Sequence, residues 1–461
     1  MKTFEILGFS LLLLSACALQ DKPATERDAG PDVAADPDGT VTPDASTNGP
    51  ALPPMTWSTH EARTPIRLHA TWQHDPATSI TLQWQTVDTD IDTYVPRVWF
   101  GLDTELTASG EDQWLPLGEG HVVEGTGESY STIFEKGQVF VTWTVELTGL
   151  APQTAYAYRV GSWESLDGTT GRPTGADLSP LYHFHTGITK GERKPFRFML
   201  SGDSRGGYAG ISKNIERLRD LKADFWFFNG DMNEMGTSDD WESWFSSMSP
   251  LLVGTVLMPV QGNHEIVADQ YYEQFALPVE PGLDAKLAEH AWTFDFGNIH
   301  FIGLNTINEL EMLAQTDWLE QDLAAASTDP DVDWIIAMFH HPAYSACTNH
   351  GSTARVLKMW VPLFEKYGVD LGFSGHDHDY ERTHPIRGDQ IVDDGKGVVY
   401  VVAGGFYSDG YSNGTDWWTA TSEHGDKGNY VVVDADGKTL RLKTWSGDGT
   451  EVLDEFTLTK P

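Results

Sequence analysis

A small antiparallel β-sandwich followed by a layered α/β domain is the architecture that this sequence predicts, on three observations. Residues 60 to 187 carry short alternating apolar runs separated by turn-forming residues, with no convincing segment of helical period among them. From Pro195 onward, continuous apolar runs alternate with segments whose apolar residues recur at three- and four-residue spacing, the pattern of strands buried on both faces and their connecting helices. Length agrees: 461 residues exceed what one ordinary core organises and leave room for two folded units with appendages.

The chain begins with Lys2, a short apolar run from Ile6 to Leu14, and then "LSAC". The run is too short to span a bilayer as a mature helix. "LSAC" resembles the lipobox of bacterial lipoprotein signal peptides. That resemblance implies that residues 1–17 are a leader, that Cys17 is lipidated, and that the protein is exported and tethered to the cell envelope by this lipid alone. Ala18 after the cysteine implies the outer membrane if the source is Gram-negative. The bland alternative is an ordinary secretory signal with an incidental cysteine. Residues 18–56, with "DAGPDVAADPDGTVTPDAS", lack the large apolar residues that a core needs and read as a disordered acidic, Pro/Asp-rich linker.

In residues 57–188, "ITLQWQTV", "RVWFGL", "VTWTVELTGL", "TAYAYRVG" and "LYHFHTG" supply the strands. The stretch "LTGLAPQTAYAYRVG" resembles the end of a fibronectin type III domain, which implies that Leu150, Pro152, Thr154 and Tyr156 form a turn and a tyrosine-corner-like anchor with a structural job. In residues 195–461 the strands are "FRFMLSGD", "DFWFFNGD", "VLMPVQGNHE", "IHFIGLN", "DWIIAMFHH" and "VDLGFSGHDH". Helical segments fall at "ISKNIERLRDL", "TDWLEQDLAAAS" and "ARVLKMWVPLFEKYG". Residues 397 to 459 return to strands, with turns at "DADGK" and "GDGTE".

Charge narrows the function. With 68 acidic against 30 basic residues the formal charge is −38, a field that repels polyanions and argues against nucleic-acid binding. An anionic substrate therefore needs a local positive centre, which bound metal ions provide. Cys17 and Cys347 are the only cysteines, so there is no disulfide framework. Cys347, a single cysteine without a mapped base, reads as inert, and the "RGD" triplet at Arg387–Asp389 as a polar turn.

Nearly every buried strand ends in metal-ligand chemistry: Asp203, Asp231, Asn263 with His264, His340 with His341, and His376 with His378. One "GD" after a strand is ordinarily a turn, and one "HDH" is often a solvent-facing pair. Five such endings in one domain are a different matter, because ligands bind outside the carboxyl ends of strands in α/β sheets and these residues should therefore converge. A carboxylate has two oxygens and can bridge two cations, which suits Asp231 to a shared position. An imidazole offers one free nitrogen and caps a single ion.

In order, "GDSR", "GDMNE", "GNHE", "FHHPAY" and "GHDHDYER" resemble the motifs of the calcineurin-like metallophosphoesterases. The preceding sandwich and the "HxP" and "GHxHxYER" forms make the purple acid phosphatases and their bacterial relatives the nearer likeness. It implies a β-sandwich core flanked by helices and two metal ions, divalent Fe, Mn or Zn. Asp203 and His378 would hold the first ion, Asp231 would bridge, and Asn263, His340 and His376 would complete the second site. His341 would be structural. His264 would face the substrate, as would His350 of "TNHG", and Arg205 would either pair with phosphate oxygens or form an ion pair with a neighbouring carboxylate.

Two usual donors to the first metal are missing. The purple enzymes carry a tyrosine three residues after the bridging aspartate, where this chain has Glu234; related phosphoesterases carry a histidine two residues after the first aspartate, where it has Arg205. Asn233 or Glu234 supplies an oxygen, or water fills the gap, or the first metal binds weakly. An oxygen donor favours divalent ions and a colourless or weakly coloured enzyme. The function implied is hydrolysis of small phosphomonoesters by a metal-bound hydroxide. Phosphodiester or nucleotide hydrolysis on the same metals is the enzymatic alternative, and a non-catalytic surface-binding lipoprotein the alternative from another class.

Overall fold

A computed structural model describes residues 63–87, 89–106, 121–131, 139–167, 173–265 and 268–461. The leader, Cys17 and the linker lie outside the described residues. Period-two alternation puts residues 66–185 into two antiparallel sheets and a small two-stranded ribbon. One sheet runs in the order Ile66–Thr71, Ser79–Val87, Phe140–Thr148, Thr126–Tyr130. The other is built on Ala155–Ser162, flanked by Arg97–Leu102 on one side and by Asp177–Leu178 and Tyr182–His185 on the other. Trp84, Trp143, Tyr94 and Tyr158 are buried in its core, with the Tyr94 and Trp143 rings stacked at 4.4 Å. The Tyr156 hydroxyl accepts the Ala151 N–H at 2.9 Å and so fastens the turn that precedes its strand.

The rest of the chain forms two further sheets. The six-stranded one runs Val256–Pro259, Phe225–Phe228, Phe196–Ser201, Asn429–Asp436, Thr439–Ser446, Val452–Thr459. The seven-stranded one runs Trp292–Phe296, Ile299–Leu304, Trp334–Phe339, Leu371–Ser374, Val399–Ala403, Tyr380–Thr383, Thr419–Glu423. Phe198, Phe225 and Phe227 of the first meet Phe294 and Phe301 of the second at centroid separations of 5.2 to 6.0 Å, so the sheets close on an aromatic layer. Helices Tyr208–Asp220 and Ser238–Leu252 bury apolar residues in the same core, while Glu309–Ala326 packs into a second core with Trp334–Phe339 neighbours such as Ile335 and Phe339. Parallel pairing within Phe196–Ser201, Phe225–Phe228 and Val256–Pro259, and within Ile299–Leu304, Trp334–Phe339 and Leu371–Ser374, aligns the ends of the strands that carry the motifs.

Two local features depart from the sequence pattern. The segment "ARVLKMWVPLFEKYG" is two helices, Ala354–Met359 and Val361–Tyr367, broken at Trp360. Pro362 has no N–H to give the Lys358 carbonyl and its ring crowds that oxygen, so continuous helix is disallowed there. Conversely, "SDDWESWFSSMSPLL", weak in helix formers, is the helix Ser238–Leu252. Thr237 caps it by accepting the Asp240 N–H while Asp240 accepts the Thr237 N–H, and Trp241, Trp244, Phe245 and Met248 bury one face. That helix also receives Arg67 from the N-terminal sheet, whose guanidinium donates to Glu242 and to the Ser238 carbonyl.

Candidate metal centre

Five strand ends deliver the site, and the backbone is strained where they do so. Asp203, Asp231 and His376 have φ of 56°, 53° and 70°. Left-handed geometry at a non-glycine residue costs on the order of 1 kcal/mol or more, so the surroundings must hold it. Here the Asp203 N–H donates to the Gly230 carbonyl at 2.9 Å, and the His376 N–H donates to the Asp203 carboxylate at 2.9 and 3.0 Å. Gly230, with φ of 97°, passes so close to His340 that a Cβ would strike the imidazole Nδ1.

Asp203, Asp231 and His340 are buried and each places a donor atom within 4.8 Å of the others; His340, His341 and His376 form a second group of the same size. His340 Nε2 lies 3.4 Å from Asp231 Oδ1, and His378 Nε2 lies 3.7 Å from Asp203 Oδ1. The outer nitrogens are committed: Nδ1 of His340 donates to the Asn229 carbonyl at 2.8 Å, and Nδ1 of His378 donates to the Asp409 carbonyl at 2.7 Å. A carbonyl only accepts, so these contacts fix the tautomers and turn both Nε2 lone pairs inward, as second partners of metal-bound histidines do. His340 Nε2 then faces Asn263 Oδ1 at 3.0 Å, two acceptors in contact, which a shared cation reconciles.

The charges say the same. Burial first and the Asp231 charge second push the Asp203 carboxyl well above its ordinary range. Burial pushes His340 down, His376 well down and His378 to about 4, so these imidazoles are neutral ligands. Buried carboxylates beside neutral imidazoles make a centre short of positive charge, and the donor set of Asp, Asn and His fits divalent cations.

Around these donors the structure gathers the remaining expected residues. His264 donates its N–H to Asp231 Oδ1 at 2.8 Å and its Nδ1–H to the Glu234 carbonyl at 2.8 Å, leaving Nε2 3.9 Å from Asp231 Oδ2. His350, with a side chain 42% exposed, stacks on His376 at 4.2 Å and places Nδ1 3.2 Å from the Asp377 carboxylate. His341 touches the His376 ring at 4.4 Å while its Nδ1 bonds Thr306 Oγ1 at 2.9 Å. Arg205 meets the acidic alternative: its Nε and Nη2 donate to the two Glu234 oxygens at 2.7 and 2.6 Å. Glu234 is thereby engaged, and Asn233 Oδ1 accepts the Gly236 N–H at 2.7 Å. Cys347 is buried, its thiol pushed up to about 12 by burial and the Asp377 charge.

Four residues escaped the sequence reading. Glu265, the last letter of "GNHE", accepts the N–H groups of Asp231, Met232 and Gly262 at 2.7 to 3.0 Å and so cradles both loops. Asn229 donates to the Ser374 and Ala403 carbonyls, tying three strand ends together. Asp377 sits between the two histidines of "GHDH" and holds His350, Ser345 and Gly351. Those three lie in or beside motifs whose ligand pattern is carried by the neighbouring residues. Tyr411 lies in the loop "YSDGYSNGTDWWTAT", outside any ligand motif: its ring stacks on His378 at 4.1 Å and its hydroxyl accepts from Arg205 Nη1 at 3.3 Å.

Comparison with known proteins gives the same two parts. The family model for calcineurin-like phosphoesterases matches residues 196–380, and that for the purple acid phosphatase N-terminal domain matches residues 65–186. A Mycobacterium tuberculosis protein described as uncharacterized is 27% identical over 86% of this chain and 87% of its own length. Purple acid phosphatase 15 of Arabidopsis thaliana is 30% identical over 56% of this chain and 52% of its own, and human acid phosphatase type 7 is 25% identical over 73% and 74%. Among solved structures, a purple acid phosphatase from yellow lupin seeds shares the fold with a TM-score of 0.70 at 20% identity, covering 86% of this chain and 74% of that one.

Proposed function

We propose that this chain, a calcineurin-like metallophosphoesterase carrying a purple acid phosphatase N-terminal domain, hydrolyses small phosphomonoesters on two divalent metal ions. The contact that carries the reading is His340 Nε2 against Asn263 Oδ1 at 3.0 Å beside buried Asp203 and Asp231, because a cation shared among them would satisfy the whole set at once. When bound, such ions acidify a water and neutralise charge gathering on the phosphoryl group.

The chain's own residues do the rest. Asp231, with two carboxylate oxygens, would serve both ions; Asp203 and His378 would hold the first, and Asn263, His340 and His376 the second. His264, anchored through Nδ1 to the Glu234 carbonyl, keeps Nε2 for the proton that the leaving alkoxide needs. His350, oriented by Asp377, is the second group of this kind. Arg205 acts as a positioning residue, since its fork is occupied by Glu234 and its remaining arm by Tyr411. Metal analysis together with turnover of p-nitrophenyl phosphate and of its bis ester tests the reading. Bound metal with faster monoester turnover supports it; faster bis-ester turnover makes the protein a diesterase, and neither metal nor turnover makes it a binding lipoprotein.

The "LSAC" motif supports export and an envelope tether at Cys17. Cys17→Ala should abolish labelling by a radioactive fatty acid and leave the leader uncleaved, read on gels of fractionated cells. Unchanged labelling would remove the tether from this account.

A further inference from the structure

We propose that a cavity beside His378 receives the alcohol part of the ester and favours alcohols that are neutral or carry an ammonium group over those with a second anionic group. This rests on the phosphoesterase reading above and names its substrate class. The cavity, about 430 Å³, is lined by Arg205, Glu234, His378, Tyr407, Asp409 and Tyr411 among others. His378 Nε2 faces Asp203, so the cavity opens directly off the first-metal side of the centre.

Among the described residues its wall has no spare cation. Arg205 spends its charge on Glu234 and its remaining arm on the Tyr411 hydroxyl. Asp409 is exposed, and its carboxylate makes no ion pair among the described residues. Its backbone carbonyl accepts from His378 Nδ1 at 2.7 Å, which fixes the residue next to the centre. Asp409 is itself a lining residue, so one uncompensated negative charge stands at the cavity, while Tyr407 and Tyr411 supply apolar wall. The centre can hold one phosphate, but a second anion on the alcohol would meet Asp409 with nothing to offset it. An ammonium group would be complemented there. At several ångströms in a partly solvated cavity one such charge changes selectivity by roughly three- to tenfold, an effect that salt screens.

The test uses the metal-replete full chain and three monoesters of similar size: phosphocholine, its neutral isostere 3,3-dimethylbutyl phosphate, and 3-carboxypropyl phosphate. The expected order of kcat/KM is ammonium, then neutral, then carboxylate, with the spread shrinking as salt rises. Asp409→Asn should bring the ammonium and neutral esters together, and Asp409→Lys should favour the carboxylate ester. Turnover of all three without charge order, or an order untouched by both substitutions, overturns the inference alone. Turnover of none, p-nitrophenyl phosphate included, removes the phosphoesterase reading and the inference with it.

Discussion

Asp231 and His264 differ in role although they are hydrogen-bonded to each other: one is buried and faces the other donors, the other leaves 23% of its side chain open. Asp231→Ala should therefore strip both metals and all activity, whereas His264→Ala should keep metal occupancy and lower kcat by roughly 10²- to 10⁴-fold. Elemental analysis beside steady-state kinetics separates them; a metal-depleted His264→Ala would place that histidine among the ligands. Colour is a second test at this scale. With Glu234 in place of the tyrosine and held by Arg205, metal-replete protein should have no strong visible charge-transfer band. A band that vanishes in Tyr411→Phe would show that this phenol has replaced the missing one. The donors were legible because each follows an apolar strand, most of them directly after a glycine. Glu265 and Asp377 were not, because a carboxylate that binds backbone amides is defined by where distant loops arrive.

Elements were legible where packing and local preference agree, as in the strand Phe225–Phe228, buried throughout. They were obscure where tertiary burial overrides a poor helix sequence, as in Ser238–Leu252. Its cap is then worth more than the sequence advertises. Thr237→Ala removes the acceptor for the Asp240 N–H and should cost about 1 kcal/mol. Urea unfolding followed by tryptophan fluorescence measures that loss, since Trp241 and Trp244 lie on the buried face. Metal stoichiometry should not change, because the cap's bonds join neither Asp231 nor Glu265. A loss of metal would mean that the helix start holds the Asp231 loop in place.

At the scale of the molecule, the joint between the N-terminal sheets and the phosphoesterase domain carries an ionic cluster around the buried His300. His300, on strand Ile299–Leu304, bonds Asp295 at 2.8 Å and Asp322 of helix Glu309–Ala326 at 3.0 Å. Asp295 also pairs with Lys190, in the connector that leaves the last N-terminal strand, and Lys190 pairs with Asp329. Burial works against the charged imidazole, but its bonds to Asp295 and Asp322 outweigh burial and push its pKa up to about 9 from 6.5. A folded-state pKa above the unfolded one means that the folded protein holds the proton more tightly. The stabilisation is thus complete below about pH 6.5 and is lost as pH rises through about 9. Its size is on the order of 3 kcal/mol. Wild type should therefore exceed His300→Gln in unfolding free energy by its widest margin near pH 6, with the margin narrowing toward pH 10, as read from urea titrations at each pH. A constant margin would mean that His300 stabilises the joint as a neutral hydrogen-bonding group, and the charged reading of the cluster would fall.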